Sequence, residues 1–131
     1  MPISDSLLAG KRCLVLDDEF LIALDIQQIL ERAGAKHVAS VASASEAIAL
    51  LRREAKFDVA VLDVKLGRSE DTSLGVASVL VEIGTPFVFL TGMRVDNVHA
   101  RKYPQVPVVE KPYDASVLLD ALQRALGDAA P

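Results

Sequence analysis

The chain is poor in the features that mark several large functional classes. It has one cysteine, Cys13, so no intrachain disulfide can form and a disulfide-stapled secreted fold is excluded. That usage suits a reducing cytoplasm, and a lone cysteine inside an apolar run reads as a small core filler. Nothing approaches the roughly 20 consecutive apolar residues a membrane-crossing helix needs. The first ten residues lack a basic segment and an apolar stretch of signal-peptide length. Fourteen Lys and Arg against 18 Asp and Glu leave a formal charge of −4 with no basic cluster. A phosphate-backbone footprint is therefore missing, and neither nucleic acid nor an anionic membrane surface is an expected partner. Repeats and low-complexity segments are also lacking.

What is present fits one globular domain. The 131 residues are 51% apolar and 24% charged, ordinary proportions for a single core. We expect one domain over 1–131, with a core over 11–127, short flexible termini and no room for a separate output domain. Apolar periodicity alternates between two patterns along the chain. Continuous apolar runs at 12–17, 37–41, 58–63, 87–90 and 106–110 predict strands, the last weakened by Pro107 and so an edge strand. Between them lie helical stripes. Ile22, Ile26, Ile29 and Leu30 share one, closed by Gly34. Ser43 and Glu46 form a capping box ahead of the second. Leu74 to Ile83 is the third, stopped by Gly84, and Asp114 caps a last helix striped by Val117, Leu118, Ala121, Leu122 and Ala125. Residues 65–72 read as a loop and 94–105 as one short irregular helix. The alternation predicts an α/β fold: a doubly wound, flavodoxin-like, five-stranded parallel sheet, (βα)5, with helices on both faces.

The functional signal sits at the ends of the apolar runs. Asp17 and Asp18 follow the first strand, Asp63 ends the third and Lys111 follows the fifth. In an open parallel sheet, ligands bind outside the carboxyl ends of the strands. These side chains therefore converge. Two carboxylates about 4 Å apart repel by roughly 4 kcal/mol at an effective dielectric near 20, so such a cluster requires a cation or a proton. A nucleotide-binding turn would carry Gly, Ser or Thr where this one reads Asp17-Asp18-Glu19, which repels phosphate and suits a hard cation. All-oxygen ligands favour Mg²⁺, with Mn²⁺ an alternative, over zinc. A carboxylate fixed beside such an ion can attack phosphorus, which assigns Asp63 as nucleophile. Thr91-Gly92 offers a hydroxyl and an unobstructed N–H for phosphoryl oxygens, and Lys111 a compact positive charge.

The ordered set Asp17-Asp18, Asp63, Thr91 and Lys111-Pro112 over this alternation resembles the response-regulator receiver domain of bacterial two-component signalling. The resemblance implies that Asp63 is the phosphoacceptor, that Asp18 binds Mg²⁺ directly and that Asp17 does so largely through water. It further implies that the backbone carbonyl of Lys65 completes the metal shell, that Thr91 and Lys111 bind the phosphoryl oxygens, and that the Lys111-Pro112 bond is cis. The implied partners are a histidine kinase or histidine phosphotransfer protein as donor and an unnamed downstream protein. The implied state is a cytoplasmic monomer or weak homodimer, a phosphoprotein with at most slow self-dephosphorylation and not an enzyme. The runs 86–92 and 106–113 also resemble the stand-alone "FAT GUY" receivers, with Leu90 in place of that motif's Ala and Arg94 in place of its Tyr.

Two departures bear on mechanism. Most receivers carry an aromatic ring three residues before the lysine, where this chain has Val108, so the signal is expected to pass through Thr91 and the segment after it. Lys65 replaces a small polar residue and is expected to bear on phosphoryl lifetime. An aspartyl phosphatase of the haloacid dehalogenase type would need an acid at that same position, which argues against the enzyme reading. His37 and His99 lie in segments not expected to reach the site, and Tyr113 is expected to pack at the start of the last helix.

Overall fold

A computed structural model describes residues 7–53, 56–64, 73–92 and 101–129. Its strands are β1 (Arg12–Leu16), β2 (His37–Val41), β3 (Val59–Asp63), β4 (Phe87–Thr91) and β5 (Val108–Glu110). Its helices are α1 (Phe20–Arg32), α2 (Ala44–Arg53), α3 (Leu74–Ile83) and α4 (Ala115–Ala129). All strand pairings are parallel, in the order β2-β1-β3-β4-β5. That order reverses between β1 and β3, and such a switch point opens a crevice at the carboxyl ends of the two strands.

Alternation along each strand divides the interior into two cores. Cys13 and Val15 of β1, Val59 and Val61 of β3, and Val88 and Leu90 of β4 pack against Ile26 and Leu30 of α1 and Leu118 and Leu122 of α4. The intervening residues Leu14, Leu16, Ala60, Leu62 and Phe89 face Ala47 and Leu51 of α2 and Val76 and Leu80 of α3. With both faces covered, β3 and β4 are buried along their full length, which is why they read as unbroken apolar runs. Cys13 lies within the first core, and burial pushes its thiol up to about 12. Among the described residues no helix is long and apolar enough to cross a membrane.

Local chemistry sets the element ends. Asp114 accepts the Val117 N–H at 3.1 Å and starts α4. Ser43 Oγ accepts the Glu46 N–H at 3.2 Å, while the Glu46 carboxylate reaches back one residue further than a standard capping box, to the Ala42 N–H at 3.1 Å. Helices α1 and α3 end alike: Ala35 N–H bonds Leu30 C=O and Thr85 N–H bonds Leu80 C=O. Gly34 and Gly84 take the positive φ that this ending needs, +101° and +80°.

Several boundaries differ from the sequence reading. β5 is three residues long and begins after Pro107, which has no N–H but accepts the Phe89 N–H through its carbonyl at 3.0 Å. β5 is an edge strand, as expected. The last helix runs through Gly127 to Ala129, because a glycine weakens a helix without ending it. On α4, Val117 is exposed and Leu119 takes the buried place. The flexible N-terminus expected up to residue 10 is instead docked over residues 7–10. Leu8 is fully buried, and its N–H bonds Ala33 C=O at 2.9 Å. The loop over 65–72 and most of the irregular helix over 94–105 lie outside the described residues.

Truncating a fully buried leucine typically costs about 2–5 kcal/mol. Leu8→Ala is therefore expected to lower the free energy of urea unfolding by that amount. A loss well under 1 kcal/mol would show that residues 7–10 do not contribute to the core.

Candidate functional site

The crevice between β1 and β3 gathers the acids. Asp17 immediately follows β1 and its N–H bonds Val41 C=O at 3.1 Å, so the sheet itself fixes its backbone. Asp63 is the last residue of β3, paired in register with Leu90 of β4. Asp17 and Asp63 are 2% and 5% exposed, whereas Asp18 is exposed at the rim. One oxygen from each of the three lies within 4.8 Å of the others.

Asp17 divides its carboxylate between two tasks. Oδ1 accepts the Glu19 N–H at 2.9 Å, holding the turn that leads into α1. Oδ2 is buried and accepts no hydrogen bond. A buried carboxylate oxygen without a donor is costly unless a cation occupies the space before it. Among the described residues the positive charge nearby is Lys111, whose Nζ stands 3.6 Å from Asp17 Oδ2, 3.5 Å from Asp63 Oδ1 and 4.0 Å from Glu19 Oε1. No one of these separations is a close hydrogen bond. A single ammonium among three mutually close carboxylates leaves two formal negative charges that a divalent cation would cancel. The donor set is all oxygen, the choice of a hard ion such as Mg²⁺. Asp17, Asp18 and Asp63 thus fit the metal expected from the sequence.

Lys111 reaches the crevice because its N–H bonds Thr91 C=O at 2.8 Å, extending the β4–β5 pairing past Glu110. Thr91, 3% exposed, ends β4 one residue beyond the partner of Asp63, so it lies at the same edge of the sheet. The Lys111-Pro112 peptide bond is cis, as expected. Of the site residues expected from sequence, Asp17, Asp18, Asp63, Thr91 and Lys111 meet at this one edge. Lys65, assigned a metal-binding carbonyl, lies outside the described residues, as does His99. His37 is remote from the crevice. It starts β2 and stacks on Phe57 with ring centroids 6.4 Å apart. Val108 is 37% exposed on the edge strand.

Sequence reasoning missed a cleft that opens beside the acids. It has a volume of about 510 Å³ and is lined by Leu21, Ile22, Asp25, Gly92, Lys111, Pro112 and Tyr113. Lys111 is common to both sites. Next to the cleft, Phe20 and Leu21 are 76% and 75% exposed, on the side of α1 turned away from the core. The signal was there to be read: Phe20, Leu21 and Leu24 are apolar yet fall off the buried stripe, and an off-stripe apolar patch marks a contact surface. Tyr113 packs against the core at the cleft, as expected. Its phenol is pushed up to about 12 by burial first, then by the charges of Asp25, Asp17 and Asp63.

Known proteins agree with this geometry. The family model described as "Response regulator receiver domain" matches residues 13–123. A response regulator receiver protein from Sinorhizobium medicae superposes with a TM-score of 0.81 at 30% identity, over 95% of this chain and 100% of that one. The solution structure of SdrG from Sphingomonas melonis gives 0.77 at 32% identity, over 89% of this chain and 97% of that one. The transcriptional regulatory protein PdtaR of Mycobacterium tuberculosis is 28% identical over 120 residues, which are 88% of this chain and 57% of PdtaR. The chain thus spans little more than half the length of that curated relative.

The raised Tyr113 phenol has a defined effect on stability. Its neutral form is favoured in the folded state, so the unfolded phenol ionises first as pH rises past its ordinary value of 10.0. Folding stability contributed by Tyr113 is therefore intact below pH 10 and declines between about 10 and about 12. Asp25→Asn should bring the phenol down. A spectrophotometric titration of the two variants checks this, and an unmoved Tyr113 transition would remove Asp25 as a cause.

Proposed function

Because the chain belongs to the response regulator receiver family, we propose that it is a phosphoacceptor switch in which Asp63 takes a phosphoryl group from a phosphohistidine. The donor is a histidine kinase or a histidine phosphotransfer protein. The observation that carries this reading is the meeting of Asp17, Asp18 and Asp63 within 4.8 Å of one another, with Lys111 Nζ 3.5 Å from Asp63.

An Oδ atom of Asp63 attacks phosphorus, the new O–P bond forms as the donor's P–N bond breaks, and the electron pair leaves on the imidazole nitrogen, which takes up a proton. Asp63 needs no base, since its carboxylate is the nucleophile. Lys111 pairs with phosphoryl oxygens, and Thr91 presents its hydroxyl at the same edge. Asp17, Asp18 and Asp63 would hold Mg²⁺ or Mn²⁺, which offsets negative charge on the attacking and transferred oxygens. Asp17 Oδ2, which accepts no hydrogen bond, is the oxygen best placed to gain from it. The protein acts as the phosphorylated partner in the transfer, with no turnover beyond slow loss of the group.

The exposed Phe20 and Leu21, flanking the cleft that shares Lys111, form the surface on which the donor docks. The product is a change in binding. A phosphoryl group adds about −1.5 to −2 charge at Asp63 and draws Lys111 and Thr91 toward it. With Val108 at the edge in place of an aromatic ring, the change spreads through Thr91 and the residues that follow β4.

The test is incubation with Mg²⁺ and acetyl phosphate, followed by intact-mass measurement. One phosphoryl adduct per chain is expected, lost in Asp63→Asn and on chelation of the metal. Continuous turnover of the donor would instead mark a phosphatase. The lack of any adduct would mark an interaction module that works without phosphorylation.

A further inference from the structure

Among the described residues, Glu19 is the one acid at the site that pairs with the lysine without belonging to the cation-binding set. Its Oε1 lies 4.0 Å from Lys111 Nζ, and its side chain is 63% exposed. Asp17, Asp18 and Asp63 make up the oxygen cluster, and Glu19 is outside it. Its backbone is committed elsewhere. The N–H donates to Asp17 Oδ1 at 2.9 Å, and the carbonyl accepts the Ala23 N–H at 2.9 Å at the start of α1. The Glu19 side chain makes no capping hydrogen bond to the helix it precedes. Its carboxylate therefore has no evident duty in starting α1, and the contact it does make is with the phosphoryl-binding lysine.

Lys111 is shared rather than seated, at 3.5, 3.6 and 4.0 Å from three carboxylates on three residues. Two of those acids are buried and would share the metal. The third stands in solvent at the mouth. An incoming phosphoryl group carries a larger negative charge than any one of them, so the ammonium turns toward it and the Glu19 contact is given up. A contact present in one state and absent in the other biases the equilibrium between them by its own free energy.

We infer that Glu19 is a positioning residue that tethers Lys111 in the unphosphorylated state and so opposes capture of the phosphoryl group. This rests on the phosphoacceptor reading above. It also gives the site a built-in threshold: a donor must overcome Glu19 before Lys111 is free to assist.

Beryllofluoride, which mimics a phosphoryl group on a carboxylate, tests this at equilibrium. Its apparent affinity is measured at saturating Mg²⁺ by amide chemical shifts in wild type, Glu19→Gln, Lys111→Ala and the double variant. Exposed ion pairs are weak, so Glu19→Gln should tighten binding about two- to fivefold at low salt. The gain should shrink toward nothing in about 1 M salt, where the Debye length is roughly 3 Å. On the Lys111→Ala background, titrated over a wider concentration range, the same substitution should change nothing. Equal affinities of wild type and Glu19→Gln would overturn the inference. So would an undiminished gain without Lys111, since Glu19 would then act only as a charge at the mouth. If wild type itself binds no beryllofluoride, the phosphoacceptor reading falls first and this inference with it.

Discussion

Carboxylates crowded at the ends of two neighbouring strands repel one another, and the rest of the site is organised around relieving that repulsion. Asp17 and Asp63 are buried, and one oxygen of each lies within 4.8 Å of the other and of one oxygen of Asp18. Lys111 stands between them on a side chain brought from beyond the edge strand β5. One ammonium answers part of the charge, and the all-oxygen set suits a divalent ion for the remainder. The same deficit of positive charge makes the pocket responsive. Lys111 Nζ stands 3.5 Å from Asp63, close enough to feel a change in its charge.

The fold makes this crowding affordable by rigidity. Parallel pairing fixes the backbones of Asp63 and Thr91, the bond to Val41 of β2 fixes that of Asp17, and Lys111 is tied back to Thr91 by a backbone hydrogen bond. Two apolar cores, one on each face, hold the strands from both sides. A charged cluster on loops alone would relax by swinging apart. Here relaxation would require breaking the sheet, so the repulsion is met by the ammonium of Lys111, which pairs with both buried acids. The cleft beside the site belongs to the same arrangement. α1 starts from the Asp17 turn, α4 follows the Lys111-Pro112 corner, and the cleft is lined by Leu21, Ile22 and Asp25 of α1 and by Lys111, Pro112 and Tyr113 of that corner.

Legibility in the sequence followed the physics of each feature. Buried strands such as β3 and β4 were clear, because full burial on both faces demands unbroken apolar runs. Helix ends at Gly34 and Gly84 were clear because a positive φ strongly favours glycine. β5 was over-extended, since Val106 and Pro107 are apolar but Pro107 cannot donate to a ladder. The docked turn at 7–10 was missed because Leu7-Leu8 is too short an apolar run to show the periodicity that marks a core face. The cleft and the Glu19 contact were missed for a related reason. Both depend on distances between segments about ninety residues apart in the chain, Leu21 or Glu19 on one side and Lys111 on the other.

The chain's own order of residues determined which chemistry is available: acids at the ends of the first and third strands, a hydroxyl at the end of the fourth, a lysine after the fifth. It determined the layers too, since alternating apolar runs and stripes admit few packings. Only the tertiary structure decided how those groups share charge. It left Asp17 Oδ2 without a hydrogen bond, set Lys111 at 3.5 to 4.0 Å from three carboxylates, and put an apolar cleft against them. Residue identity specifies what a side chain can do, whereas electrostatic energy depends on separation and burial, and both of those come into being only when the strands align.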